Sequence, residues 1–421
     1  MVHIFLLHLI SLMPLTDGGL GRHAGLTNRS PQNEGQEVFD DLIKTIRLYP
    51  DTGTDDDPLR PAIVPIEDQH LMLEFDDLRE DLENYYVTLI HCDHDWKKSG
   101  LHDLDFLKVY NEFTINDYAY SSNTHIPYVH YRFPVPEVAL SGNYILFVYK
   151  DGDKDSRAFT RRFSVYRQEV QITPVTRPGQ SVLRRDLQQV NFRITYDDSR
   201  VPDPTRSVQV VIRQNQRWDN AITGLTPFRM DPYKRTLDYV YFDETATFRA
   251  GNEFRFFDFT SVNYPGQNTG YLDKKARPYH LFLARDKSRG SEVYAQYRDL
   301  NGNYVTANRD AGHVETTGQY VYVHFLLEGA SAGTGPVYVT GAWSDWKVSE
   351  EYRLKPEGDL LEAVVLMKQG FYNYALVTRD DRIEGNHVET ENQYEILVYN
   401  RNFNNNADQL VGYFTYRLNP R

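Results

Sequence analysis

The chain has 421 residues, 40% hydrophobic and 25% charged. That is enough for about two to four domains with real cores, and it is unlike a coiled coil, a collagen-like repeat or a disordered chain. Its 46 basic residues face 59 acidic ones, a net charge of −13, which argues against general nucleic-acid binding and against adsorption to anionic lipid.

Residues 1–17 read as a possible signal peptide: Ile4 to Leu15 is apolar and ends at Asp17-Gly18-Gly19, although no Lys or Arg precedes it. No later stretch approaches ~18 apolar residues, so no direct membrane span is expected. Cys92 is the single cysteine, which excludes an intrachain disulfide and leaves the compartment undecided. Residues 18–59 form an acidic N-terminal segment, read as a strand and an exposed loop ending in Asp55-Asp56-Asp57.

Tyrosine and phenylalanine are abundant, at 31 and 22, alongside 26 Gly and 20 Pro; the composition points to many short strands joined by turns. Residues 60–167 fit a first β-sandwich. Leu71 to Asp76 alternates apolar and polar, Tyr85 to Cys92 reads as a central strand, and Asp151-Gly152 marks a hairpin before Ala158 to Tyr166. Val38–Arg47 and Asp76–Asn84 are the best helical candidates, and Ile115–Ser122 reads as a loop or short helix. Residues 168–317 repeat the style as a middle sandwich, with Tyr264–Arg277 read as a long loop carrying Tyr264 and Tyr271. Residues 318–421 form a third sandwich. The predicted class is all-β: tandem immunoglobulin-like or early-set sandwiches with little helix.

Candidate chemistry is sparse. His91-Cys92-Asp93-His94-Asp95 holds metal-ligand types, but in a strand alternate residues face opposite ways and cannot all reach one ion; no metal is expected. Glu74, Asp76 and Asp77 could supply paired carboxylates for glycoside hydrolysis, a geometry sequence alone cannot give. No nucleophile elbow, zinc helix, phosphate loop or dinucleotide fingerprint is present, and neither catalysis nor a cofactor is expected. Val337 to Trp346 places Trp343 and Trp346 after a strand and a Gly turn, similar to the opening of glycogen-binding early-set modules. Stacking of sugars on those rings is the alternative functional reading.

Several longer strings together resemble the plug protein family of the type IX secretion system. They include Leu73-Glu74-Phe75-Asp76-Asp77-Leu78, Tyr85 through Trp96, Ile115-Asn116-Asp117-Tyr118, Ser141-Gly142-Asn143-Tyr144 and Arg161 through Tyr166. Farther on, Gly251 through Asp258, Asp299 through Tyr304, Lys368 through Tyr374 and Glu384-Gly385-Asn386-His387 also fit, so the resemblance spans about 61–412. Asn111-Glu112-Phe113 departs from it where a glycine is expected before the Phe. The resemblance implies a non-enzymatic periplasmic protein associated with the outer membrane, a monomer within a hetero-complex. Its partner would be the large outer-membrane β-barrel translocon, whose periplasmic mouth it would close. Tyr264, Tyr271 and the acidic Asp55, Asp56 and Asp57 are candidates for contact with that barrel.

Overall fold

The computed structural model describes residues 35–175, 186–329, 335–379 and 382–420. The expected signal peptide at 1–17 and the start of the acidic segment lie outside the described residues. The fold is all-β, and the α-helices among the described residues are single turns at Asp103–Phe106, Pro204–Ser207 and Val314–Thr317.

Two sheets enclose the first core. One runs in the order Ile43–Pro50, Leu71–Asp77, Val129–Pro134, Asp117–Tyr120; the other runs Ile63–Pro65, Asp153–Tyr166, Gly142–Lys150, Tyr85–Cys92, Phe113–Thr114. Phe75, Tyr85 and Tyr131 meet between them with ring centroids 4.9–5.1 Å apart. All three are fully buried. Each buried ring contributes about 1.5–3 kcal/mol, and each favourable pair about 0.5–1.5 kcal/mol more. The hydroxyls remain satisfied at the edge of the core: Tyr85 donates to Asp77 Oδ2 at 2.7 Å and Tyr131 to the Glu83 carbonyl at 3.0 Å. In this way these two tyrosines enter the core without orphaning their hydroxyls.

The two helical candidates are not helices. Ile43–Pro50 is a strand antiparallel to Leu71–Asp77, with a bulge between Lys44 and Arg47 and Thr45 at φ +50°. The bulge breaks the two-residue alternation, so Val38, Leu42, Ile43 and Ile46 imitate helical spacing. Asp76 and Asp77 end the second strand rather than start a helix. Within Ile115–Ser122, Asp117–Tyr120 is an exposed edge strand.

The other two cores do not follow chain order. Val208–Gln214 pairs antiparallel with Asn392–Asn402, which pairs with Ala407–Leu418. The middle core therefore draws on residues 170–248 and 394–411 together, and the third core, Phe257 to Ile383, lies between them in sequence. Tyr394, Ile396 and Val398, placed by sequence in a domain at 318–421, pack instead with Phe192, Ile194 and Tyr239. The third core is wrapped by a nine-stranded sheet that begins with Arg255–Phe259 and reaches Tyr320–Glu328 as its sixth strand. Phe257 and Phe325, on those two strands, nevertheless have rings 5.8 Å apart, so the sheet folds over on itself. Within the stretch read as a long loop, Thr269–Asp273 is a strand of this sheet, paired with His280–Leu283.

Candidate functional site

The three cores meet around one cleft of about 170 Å³. The first core contributes Arg47 from Ile43–Pro50 and Arg161 and Arg162 from Asp153–Tyr166; the middle contributes Arg213 and Trp218; the third contributes Tyr304, Asp345 and Trp346. Trp96 closes the first-core side, 3% exposed. Its ring stands edge-on to Trp218 at 4.8 Å.

Guanidinium groups lie over the aromatic faces. Arg162 sits 4.5 Å above Trp96, Arg213 4.4 Å above Trp218, and Arg217 4.1 Å above Trp346. Such contacts contribute from about 0.5 to 2 kcal/mol, more as water is excluded. Arg213 also donates Nη2–H to Glu395 Oε1 at 2.9 Å. Arg161 Nη2 is 3.4 Å from Asp345 Oδ2. Arg47 donates Nη1–H to Thr306 Oγ1 at 2.9 Å, while its buried Nη2 has no hydrogen-bond partner among the described residues. Tyr304 stacks on Tyr372 at 5.2 Å. Burial raises its phenol above the ordinary value, and Arg47 and Arg161 act in the opposite direction.

Backbone geometry fixes the Trp346 side. Trp346 has φ +58° and follows Asp345 at φ +51°. Gly302, at φ +85°, leaves room for the indole: a Cβ there would lie 2.5 Å from Trp346 Cη2.

Further polar contacts tie the cores together. Between first and third cores, Asp76 Oδ2 accepts from Lys368 Nζ at 2.7 Å and from Tyr320 Oη at 2.6 Å, while His130 Nδ1 is 2.7 Å from Oδ1. Between first and middle cores, His94 Nδ1 is 2.6 Å from Asp408 Oδ2, and Arg401 bridges Asp93 and Asp408 at 2.9 Å each. Burial works against ionisation of Asp408, but hydrogen bonds from His94 and Arg401 outweigh it and lower its pKa to about 2.

The residues singled out by sequence are spread over this framework. Trp346 lines the cleft. Trp343 does not: it packs on the third core, nearly parallel to Phe325 at 5.9 Å and perpendicular to Tyr352 at 5.5 Å, and donates Nε1–H to the Asn373 carbonyl at 3.1 Å. Asp55 and Asp56 are exposed, whereas Asp57 is buried. Asp57 accepts from the backbone and hydroxyls of Thr52 and Thr54 at 2.7–3.0 Å and from Arg60 at 3.0 Å. Those donors overcome the cost of burial and hold its carboxyl well below the usual carboxylate range. Tyr264 is exposed beside a second, open cleft of about 690 Å³ with Ser261, Arg309, Asp310 and Phe371. Tyr271 is exposed on its strand against Phe282, apart from the residues that line that cleft.

The histidine-rich run leaves its strand at Cys92, so alternation does not govern the rest of it, and Asp93 and His94 both engage Asp408. His91 is buried against Ser99 at 2.9 Å, Cys92 is buried, His94 turns to Asp408, and Asp95 pairs with Lys97. Asp76 and Asp77 likewise part company. Asp76 faces the third core, and Asp77 binds Arg79 at 2.7 Å and Tyr85. Sequence reasoning passed over the cleft arginines. Their one signal was the adjacent pair Arg161-Arg162 between the apolar residues Phe159 and Phe163 of Asp153–Tyr166.

The segment 43–167, from the bulged first strand to the end of Asp153–Tyr166, matches the family model described as "Type 9 secretion system plug protein 1st domain". The chain carries a plug first domain. That domain is the first core with both of its sheets, and it supplies Arg47, Arg161, Arg162 and Trp96 to the cleft. A crystal structure of a hypothetical protein from Parabacteroides merdae is similar over more than the plug first domain: 27% identity and a TM-score of 0.83, covering 91% of this chain and 99% of that one. No curated protein matches the chain. No helix among the described residues is long and apolar enough to cross a membrane.

Proposed function

We propose that this protein is a non-enzymatic periplasmic plug of the type IX secretion system. It binds the periplasmic mouth of the large outer-membrane β-barrel translocon and closes its pore, as one copy within a hetero-complex. The observation that carries the reading is the match of residues 43–167 to the plug first domain. A stopper works by steric fit, so it needs a body of fixed shape and a broad surface rather than a reactive group. Support comes from the buried bonds of Asp76 to Lys368 and Tyr320, and from the part-buried contacts of Asp408 with His94 and of Arg401 with Asp93, which resist hinging between cores. We also propose dividing the chain by core, with the third unit inserted in the middle one, instead of at 168–317 and 318–421. Exposed Tyr264, Tyr271, Asp55 and Asp56 remain candidates for barrel contact.

The sugar-binding alternative gains no support. Trp343 is engaged by Phe325 and Tyr352, and Arg217 covers a face of Trp346. Two experiments test the plug reading. Affinity capture from detergent-solubilised outer membranes should bring down one large β-barrel protein. Planar-bilayer recordings should show that barrel conducting when stripped of this chain and closing when it is restored; an empty barrel no leakier than an occupied one rules the reading out.

A further inference from the structure

We infer that the open cleft of about 690 Å³ beside Tyr264 is a binding site for a short neutral oligosaccharide, with the Tyr264 ring as its stacking plate. Neither Trp343 nor Trp346 lines it. Its floor is the outer face of the third core's sheet. Asp258 and Phe371 are direct partners on the antiparallel strands Arg255–Phe259 and Gly370–Val377, so their side chains stand together, opposite to Phe257 and Phe259 in the core. Phe371 stacks on Phe256 at 5.3 Å. Tyr264 borders the same cleft and is 76% exposed.

The backbone that carries this plate is fixed from several sides. Asp310 accepts the Ser261 hydroxyl and the Val262 N–H at 2.7 Å each, and Ser261 Oγ accepts the N–H groups of Asn263 and Tyr264 at 3.0 Å each. Gly266 presses on the neighbouring strand so closely that a Cβ there would lie 1.9 Å from the Asp258 carbonyl oxygen. The Gln267 carbonyl accepts the Asp258 N–H at 3.0 Å. A ligand meeting a plate on an already ordered backbone gives up less of its binding energy to ordering the site.

The polar groups of the cleft select a neutral ligand. Burial works against ionisation of Asp310, but the bonds from Ser261 and Val262 outweigh it and hold its pKa below the ordinary value, with Lys274 acting in the same direction. Asp258 Oδ1 takes the Thr260 N–H and hydroxyl. Its Oδ2 has only Arg309 beside it among the described residues, at 3.8 Å, too long for a hydrogen bond. Two carboxylates are thus balanced by Arg309 and Lys274, and the set favours neither an anion nor a cation. Exposed Gln267 adds an amide that donates and accepts. A sugar hydroxyl also does both, so it satisfies carboxylate, guanidinium and amide together while the C–H face of the ring lies on Tyr264. The volume falls within the roughly 300–1,000 Å³ of small-ligand sites.

The test is saturation-transfer NMR and calorimetry on the full chain with four trisaccharides: maltotriose, cellotriose, mannotriose and tri-N-acetylchitotriose. Acetate and acetyl-arginine amide serve as charged probes. The expected result is saturable binding of at least one trisaccharide, little affected by salt, with saturation reaching the ring C–H protons. Tyr264→Ala should weaken it about tenfold, the loss of one stacked ring, and Tyr264→Phe by much less. Arg309→Gln, at a side chain 73% exposed, should also weaken it, by about tenfold for one charge-assisted bond. Trp343→Phe and Tyr233→Ala should leave it intact. Both Tyr264 and Arg309 are exposed, and unchanged melting temperatures would show that their variants are folded. No saturation by any of the four sugars into the millimolar range overturns the inference. So does tighter binding of either charged probe, or unchanged affinity in Tyr264→Ala. None of these readouts involves the barrel, so failure here is distinguishable from failure of the plug reading, on which the inference does not rest.

Discussion

Asp76 Oδ2 lies 2.7 Å from Lys368 Nζ although 292 positions separate the two residues. Both side chains are buried, at 1% and 2% exposure. The carboxylate also takes Tyr320 and His130, and Lys368 reaches the Glu315 carbonyl at 3.1 Å and sits 4.3 Å over the Tyr128 ring. Burial pushes the Asp76 pKa up, and the attraction of Lys368 with the His130 bond brings it below the ordinary value. The pair is a latch between the first and third cores.

Removing one half of that latch leaves a buried charge without its partner. Lys368→Met should destabilise the protein by about 3–5 kcal/mol, read as a lower urea midpoint. The double variant Asp76→Asn/Lys368→Met should lose less than the sum of the two single changes. Strict additivity in that cycle would show that the two groups do not interact.

Gly302 faces two demands at once, a left-handed backbone and contact with Trp346. Gly302→Ala should cost about 1–3 kcal/mol, from strain plus overpacking. Gly152, at φ +71° with nothing within 4 Å of its Cβ position, is the matched control, and Gly152→Ala should cost only the backbone part, about 1 kcal/mol. Equal denaturation midpoints for the two variants would remove the steric part of the argument.

His91 sets an acid limb. Burial lowers its pKa from 6.5 to about 4, so the unfolded chain takes up a proton first as pH falls. Stability is full above about pH 6.5 and drains away between 6.5 and 4, by an amount on the order of 3 kcal/mol. Asp408, held at about 2, has the depressed carboxylate's sign: its share is present above about pH 3.9 and is lost as pH falls through 2. Urea melts across this range should show His91→Gln with a shallower fall between about pH 6.5 and 4 than the parent protein. An unaltered slope would mean that another group carries the proton.

Trp343 is predicted to behave as a core residue. Trp343→Ala should cost about 3–5 kcal/mol and lower the melting temperature, while Trp343→Phe, which keeps the stack on Phe325, should cost much less. Glucan affinity lost in a Trp343→Phe protein of normal stability would return the sugar-binding reading to contention.

Much of the fold was legible because strand patterning is local. Leu71 to Asp76, Tyr85 to Cys92 and Ala158 to Tyr166 announce themselves through β-rich composition, alternation and flanking turns, and all three are strands. The first strand was misread at its bulge, where one extra residue disrupts the period that reading depends on. Tyr264 and Tyr271 were read as members of one loop, whereas Tyr271 stands on a strand and only Tyr264 lines the open cleft. Asp57 was taken with Asp55 and Asp56 because charge alone does not reveal that Thr52 and Thr54 wrap its carboxylate.

The sequence by itself determined the all-β class, the aromatic cores, the lack of a disulfide and the resemblance carried by residues that later matched the plug first domain. These depend on composition, on alternation and on contiguous strings. Only the tertiary structure decided that Val208–Gln214 pairs with Asn392–Asn402, that the third core lies between two halves of the middle one, and that Arg47 and Arg161 share a cleft with Asp345. Strand pairing and charge pairing act through space with no dependence on chain separation once the chain has closed on itself. The closure cost grows only slowly with loop length, so partners nearly two hundred residues apart leave no periodic trace in one sequence.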